Sequence, residues 1–376
     1  MSEIEERFRA AAMACEDTVV WHARRGPAET MTLLAEAAGE LCLSEQGAEE
    51  WDRYGNGGAV ARLEADVAEL LGKPAAVFFV SGTMAQQATL RVWCERRRSQ
   101  RVAIPDLAHQ LRHETDGPRL LQGFRFETLT EGWRTATAAD LRAVPGHERL
   151  GAVQLELPLR EAGCLLPTWE ELVAFSEAAR ELGVPFHVDG ARLWEAQPFL
   201  DHSLPEIAAL SDSVYVSFYK GLRAMAGAAV ACDEDVATEL RGWRQRMGGT
   251  LFGMTPYALS ALVGLRDELP LIGNSVAWAR SFAGELVERG LRIQPDPPHT
   301  NTFLAFADGD PDAITERVAA FMEQEKVVPS GPWWPARAPG LAMTEVTIHG
   351  AALDKDPATV AGWYADLVSG AQGGQP

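Results

Sequence analysis

The chain has 376 residues, is 47% hydrophobic and carries 53 acidic against 34 basic side chains, a formal net charge of -19 at pH 7. That length and apolar content suit a globular protein with one large domain and a smaller one, and the acidic balance repels a phosphate backbone, which argues against nucleic acid as a partner. The five cysteines, Cys15, Cys42, Cys94, Cys164 and Cys232, are odd in number, scattered and never in CxxC spacing, which argues against a disulfide framework and a zinc site and leaves reduced cytoplasmic thiols as the simplest account.

In chain order, the N-terminus "MSEIEERFRAAAMACED" is acidic and amphipathic, unlike a basic and then apolar export signal. Apolar periodicity predicts helices near 3–14 and 28–40, within an N-terminal helical segment over 1–50, and a longer helix near 57–72 ending on a glycine suited to a C-cap. "AAVFFV" is too short and too continuously apolar for a helix and reads as a buried strand, followed by a helix over 83–97. The basic run Arg96 to Arg98 closes that helix and reads as a solvated end suited to the helix dipole. Strands then fall at 101–104, 124–128 and 151–156, a helix at 168–182, and strands at 184–188, 213–218 and 228–232. Strands alternating with helices predict an α/β fold with a mostly parallel sheet flanked by helices, in a large domain over 51–289.

From 234 to 290 the pattern is helical, with two long amphipathic candidates. "TNTFLAFA" and "MTEVTIHG" then read as strands flanking a helix near 311–325, so a smaller C-terminal α+β domain is expected over 290–370 and a tail over 371–376. No apolar run approaches the roughly 18 residues that span a bilayer, so no membrane segment is expected.

Four stretches carry residues suited to chemistry. In "FFVSGTMAQQ", Ser81, Gly82 and Thr83 sit between a buried strand and a helix, where backbone N–H groups attract an anion; the same residues also serve as a plain helix cap. In "HVDGARLW", Asp189 ends a strand, as a cap for the next turn or as an acceptor for a protonated ring nitrogen, and Arg192 follows three positions on, its guanidinium able to hold an anionic oxygen. In "SVYVSFYKGLRAMAG", Lys220 follows a buried strand, either reaching solvent or desolvated into an amine nucleophile. "WRQRMGGTLFGM" sets Arg244 and Arg246 beside paired glycines, as a phosphate clamp or an exposed basic helix end. The glycines of "GNGG" follow no strand and lack GxGxxG spacing, so they do not read as a dinucleotide site. The eight histidines show no metal-ligand spacing, and no metal is expected.

An anion cradle, a strand-end Asp, a nearby Arg and a strand-end Lys are together the parts that pyridoxal phosphate requires, since this cofactor needs a lysine Schiff base and an acidic partner for its ring nitrogen. On "RYGNGGAVARLEADVAELLGKPAAVFFVSGTMAQQ", "HVDGARLW", "SFYKGL" and "WRQRMGG" the sequence resembles the threonine aldolases of the β-eliminating lyase group, within the aminotransferase-like fold type I. By that resemblance Lys220 would hold the cofactor, Asp189 would keep its ring nitrogen protonated, and Arg192 would face the ring oxygen or the substrate carboxylate. Ser81, Gly82 and Thr83 would bind the phosphate with Arg244 or Arg246. His109 in "LAHQLRHETDG" would stack on the ring, and Tyr54 and Glu114 would join Arg192 at the substrate. A small amino acid substrate and a homodimer or homotetramer are also implied.

The departures concern the substrate. Where the family carries Glu-Asn-Thr-His, with a histidine on the substrate hydroxyl, this chain reads "LELPLREAG", placing Leu157 and Leu159 there. The family's carboxylate-binding arginine falls near Thr344, with Arg337 or His349 as substitutes. Its N-terminal Arg-Ser-Asp-Thr is at best echoed by Glu16, Asp17 and Thr18, and Tyr219 replaces the serine before the lysine. The expectation is a lyase that cleaves the Cα–Cβ bond of a β-hydroxy-α-amino acid other than threonine to glycine and an aldehyde, with His109, His113 or a water as base. The alternatives are α,β-elimination or other carbanion chemistry, and an inactive cofactor-binding relative.

Overall fold

The computed structural model describes residues 2–41 and 51–370. Cys42, the end of the expected N-terminal segment and the expected tail at 371–376 lie outside them. The helices of eight or more residues are α1 (Glu3–Met13), α2 (Pro27–Leu41), α3 (Gly58–Leu70), α4 (Gly82–Arg97), α5 (Trp169–Glu181), α6 (Leu193–Leu200), α7 (Glu234–Arg246), α8 (Thr255–Asp267), α9 (Ile272–Glu288), α10 (Pro311–Glu325) and α11 (Pro357–Ser369).

Residues 26–270 form one compact unit. Its sheet contains β1 (Ala75–Phe79), β2 (Arg101–Ile104), β3 (Arg125–Thr128), β4 (Ala152–Glu156), β5 (Phe186–Gly190), β6 (Ser213–Ser217) and β7 (Ala228–Cys232), in the spatial order β1-β7-β6-β5-β4-β2-β3. β7 runs antiparallel to both β1 and β6, and the other pairs are parallel. Every residue of β1, β4, β5, β6 and β7 is buried, which is why these strands read as short continuous apolar runs. Helix starts are written locally: Thr168 and Glu171 cap α5 reciprocally, and Ser81 caps α4. The basic end of α4 is tied to α7 by Arg96, which pairs with Glu239 at 2.7 Å and Asp235 at 3.0 Å.

Residues 2–25 and 271–370 belong to the second unit. β8 (Arg292–Gln294), β9 (Thr302–Asp308), β10 (Trp334–Pro335) and β11 (Leu341–Thr347) form an antiparallel sheet in the order β10-β11-β9-β8. This unit begins at residue 271 rather than 290, and the region expected to hold two long helices holds α7, α8 and α9. The reason is the buried face of α9, where Trp278, Phe282 and Leu286 share a core with Phe303 of β9 and Tyr364 of α11. α1 also belongs here, through Phe8 and Ala11, whereas α2 packs on α8 in the larger unit. The N-terminal stretch is therefore split between the two units rather than forming a segment of its own. No described helix is long and apolar enough to cross a membrane.

Candidate active site

The carboxyl ends of parallel strands leave a crevice, and the chemistry-bearing residues of the larger unit collect there. Asp189 of β5 stands in register with Glu156 of β4, the two being 2% and 7% exposed. One Asp189 oxygen accepts the Ala191 backbone N–H at 3.2 Å. Glu156 accepts the backbone N–H of His109 at 2.9 Å and that of Arg160 at 3.2 Å. Burial, and then the carboxylate of Glu156, push the Asp189 carboxyl up to about 7, against the opposing pull of Lys220 and His109. Two neighbouring buried carboxylates make a place where a cation is stabilised.

Lys220 lies just past β6, and burial, followed by the nearby Arg192 cation, lowers its pKa from the ordinary lysine value. A desolvated amine beside a second cation is the form that attacks a carbonyl. Arg192 occupies the N-cap position of α6.

The start of α4 supplies the third element. The Ser81 hydroxyl accepts the Met84 N–H at 3.5 Å, Gly82 is buried and Thr83 is exposed. A Cβ at Gly82 would fall 2.2 Å from Oη of Tyr215 and 3.4 Å from Oη of Tyr219, so only glycine brings the helix N-terminus this close to the end of β6. The first N–H groups of a helix have no intrahelical partner and form an anion cradle.

His109 opens the short helix His109–Arg112 after β2. Its Nδ1 lies 3.4 Å from Oε1 of Glu114, whose Oε2 accepts the Gln87 side-chain N–H at 2.9 Å. His113 is 5.2 Å away ring to ring, and its Nε2 is 2.8 Å from Glu161. His187, on β5 two residues before Asp189, is structural: it bonds Ser213 and Gln86, and burial pushes its pKa down to about 3.

The fold thus draws Asp189, Lys220, Arg192, His109, Glu114 and the Ser81–Gly82–Thr83 turn to one set of strand ends. Three expected residues have other surroundings. Arg244 is 3% exposed and is held by the carbonyl of Phe78 at 2.7 Å and by Glu64 at 3.5 Å, beneath the end of β1. Arg246 is exposed, with its guanidinium 4.9 Å from the Trp243 ring. Tyr54 is 57% exposed and packs edge-on against Phe252. Thr344, Arg337 and His349 belong to the second unit, where Thr344 donates to the Pro332 carbonyl and His349 stacks on His22 at 3.6 Å.

Glu156, Tyr215 and Gln87 were not singled out from the sequence. Nothing local marks them, because their roles arise from strand pairing and from the approach of α4. Leu157 and Leu159 are both buried, and Leu159 packs with Leu107 and Ala162. The position assigned to a hydroxyl-contacting histidine is filled by a core side chain.

Pyridoxal phosphate fits these residues. Its phosphate suits the α4 cradle, its protonated ring nitrogen suits the paired carboxylates, and its aldehyde suits the Lys220 amine. Among the described residues no group of three or more His, Cys, Asp or Glu side chains is arranged to hold a metal ion.

Comparison with known proteins agrees. A family model described as β-eliminating lyase matches residues 42–310. A low-specificity L-threonine aldolase of Arabidopsis thaliana is 29% identical over 262 residues, which is 66% of this chain and 72% of the relative. The aldolase vrtJ of Penicillium aethiopicum is 36% identical over 233 residues, 59% of this chain and 58% of that one. The crystal structure of a Listeria monocytogenes EGD-E protein, provisionally named an L-allo-threonine aldolase, superposes with a TM-score of 0.87 at 32% identity, covering 98% of this chain and 99% of its own. The chain belongs to the β-eliminating lyase family and is a pyridoxal phosphate-dependent lyase of fold type I.

Proposed function

We propose that this lyase is an aldolase that breaks the Cα–Cβ bond of a β-hydroxy-α-amino acid other than threonine, releasing glycine and an aldehyde. The observation that carries this reading is the His109–Glu114 pair beside the Asp189 and Lys220 strand ends, with buried Leu157 and Leu159 in place of a polar contact to the hydroxyl.

When bound, the cofactor supplies an electron sink for the pair released at Cα. Asp189 holds a proton at the ring nitrogen, where its buried carboxylate gains the cation it lacks. Arg192 offers two parallel N–H donors to a carboxylate, which fixes the substrate's orientation. The Glu114 carboxylate, 3.4 Å from Nδ1 of His109, would favour a proton on that nitrogen and leave Nε2 to accept the β-hydroxyl proton. As that proton leaves, the Cβ–O bond becomes a carbonyl, the Cα–Cβ bond breaks and the aldehyde departs. A proton returned to Cα completes glycine.

Leu157 and Leu159 are core side chains that offer no hydrogen bond to a small hydroxylated side chain, and the loss of that contact suits a substrate with a larger or less polar β-substituent. Relatives named as L-threonine aldolases support the reaction type, not the preference. In the same reading the enzyme works in the cytoplasm as a homodimer or homotetramer; the four described cysteines, all buried and none in a disulfide, are compatible with a reducing compartment.

The test is aldehyde release by the cofactor-loaded enzyme from L-threonine, L-allo-threonine and β-hydroxy amino acids with larger aliphatic or aromatic β-groups. A kcat/KM at least tenfold above that for threonine on a larger substrate is expected. Preference for threonine overturns the substrate assignment, and β-elimination products without aldehyde overturn the reaction type.

A further inference from the structure

Glu195 takes no part in the steps above, yet it is a carboxylic acid in the interior, 1% exposed, one turn beyond Arg192 on α6. Gly221, the residue after Lys220, lies directly against it. A Cβ at 221 would fall 2.0 Å from Oε1 of Glu195 and 2.7 Å from its Cδ, so the carboxylate occupies the space that a side chain at 221 would need. Its other oxygen, Oε2, is buried and has no hydrogen-bond partner. An unsatisfied carboxylate in the interior costs several kcal/mol, which is retained only where it serves a purpose or meets a cation.

The loop after Lys220 is also held by α8. A Cβ at Gly264 would fall 2.2 Å from the Leu222 carbonyl, and the Ser260 hydroxyl accepts the Met225 N–H at 3.1 Å. Burial pushes the Glu195 carboxyl up to about 7, while Arg192 and Lys220 pull it back. The other charges that reach Lys220 are Asp189 and Glu156, which favour its cation, and Arg160, which with Arg192 disfavours it. On the same loop Arg223 faces Glu268 of α8 at 3.7 Å.

We propose that Glu195 is a positioning residue for Lys220: seated in the gap left by Gly221, it fixes the Lys220–Gly221 turn and, in its ionised form, favours a proton on the lysine nitrogen when the cofactor is attached. The inference rests on Lys220 as the cofactor's anchor. It deepens that reading by adding a residue that sets the ionisation of the anchored nitrogen, and it is independent of which amino acid is cleaved.

The experiment is a pH titration of the visible absorption of the cofactor-loaded protein, without substrate, for wild type, Glu195→Gln and Glu195→Asp. The amide keeps the shape and removes the charge. The Gln variant is expected to titrate at a midpoint at least half a pH unit lower, roughly a threefold weaker proton affinity, with the Asp variant between it and wild type. A residue that only fills space leaves the midpoint unchanged in Glu195→Gln, and that result overturns the proposal. If the Gln variant does not fold, Glu195→Met, of similar length and without charge, decides by the same criterion. Wild type that gains no borohydride-reducible absorption instead removes Lys220 as the anchor, an outcome distinct from a normal band with unshifted variants.

Discussion

Asp189 and Glu156 face one another across adjacent parallel strands, two buried carboxylates in register at the carboxyl ends of β5 and β4. Burial, and then the neighbouring Glu156 carboxylate, oppose ionisation of Asp189, whose carboxyl keeps its proton up to about 7, against an ordinary value of 3.8. Between those pH values the cofactor-free folded chain binds a proton that the unfolded chain has released. The contribution of Asp189 to stability is therefore complete below pH 3.8 and lost as the pH rises through about 7. Asp189→Asn cannot ionise, so the cofactor-free variant should gain on wild type, by an order of a few kcal/mol, between about pH 4 and pH 8. Urea unfolding of both proteins at the two pH values checks this, and an unchanged difference moves the retained proton to another group.

Lys220→Ala removes the only amine placed at these strand ends among the described residues. It should fold, bind pyridoxal phosphate reversibly, show no borohydride-fixed cofactor by mass spectrometry and lose cleavage by more than about 10³-fold. Cofactor that still becomes fixed to the variant would point to a different lysine.

Gly82→Ala sets a methyl group 2.2 Å from the Tyr215 hydroxyl, and the start of α4 or the tyrosine must move. Cofactor affinity is expected to fall about 10- to 100-fold, a loss of roughly 1.4 to 2.7 kcal/mol. Tyr215→Phe in the same chain removes the clashing oxygen and should recover part of it. A fluorescence titration of the single and double variants reads the effect, and equal affinities for all of them would show that the cradle lies elsewhere.

His109→Gln tests the proton acceptor. With cofactor binding retained, kcat should fall about 10²- to 10⁴-fold. Glu114→Gln, which removes the charge beside Nδ1 and disturbs the Gln87 contact, should cost less, about tenfold. If both variants cleave at the wild-type rate, the base is another group, and His113, paired with Glu161, is the next candidate.

Much of the larger unit was legible because β1, β4, β5, β6 and β7 are buried on both faces. Runs such as "AAVFF" and "SVYVS" carry no alternation to confuse with a helix, and each observed strand lies within two residues of its expected place. The boundary near 290 was misplaced because α9 has an amphipathic pattern that fits either unit; only its contacts with Phe303 and Tyr364 assign it. Asp189, Lys220 and the α4 start were found because each breaks a local rule at a strand end: a charge where an apolar residue is expected, or a small residue before a helix. Glu156 ends a buried strand in the same way, but its place beside Asp189 depends on the pairing of β4 with β5, which no local pattern shows.

The sequence by itself determined the alternation of elements, which follows from residue type and short spacing, and its resemblance to a known family pointed to the cofactor and to a changed hydroxyl contact. Tertiary structure alone decided which charges share a site. The register of β4 with β5 set Glu156 beside Asp189, the glycine at 221 admitted Glu195 behind Lys220, and the approach of α4 brought Gly82 to Tyr215. Those pairs are separated by 33, 26 and 133 positions along the chain, and no local pattern encodes a distance across a sheet. Strand order and close packing, which arise only when the whole core forms, turn scattered acids and amines into groups with shifted proton affinities.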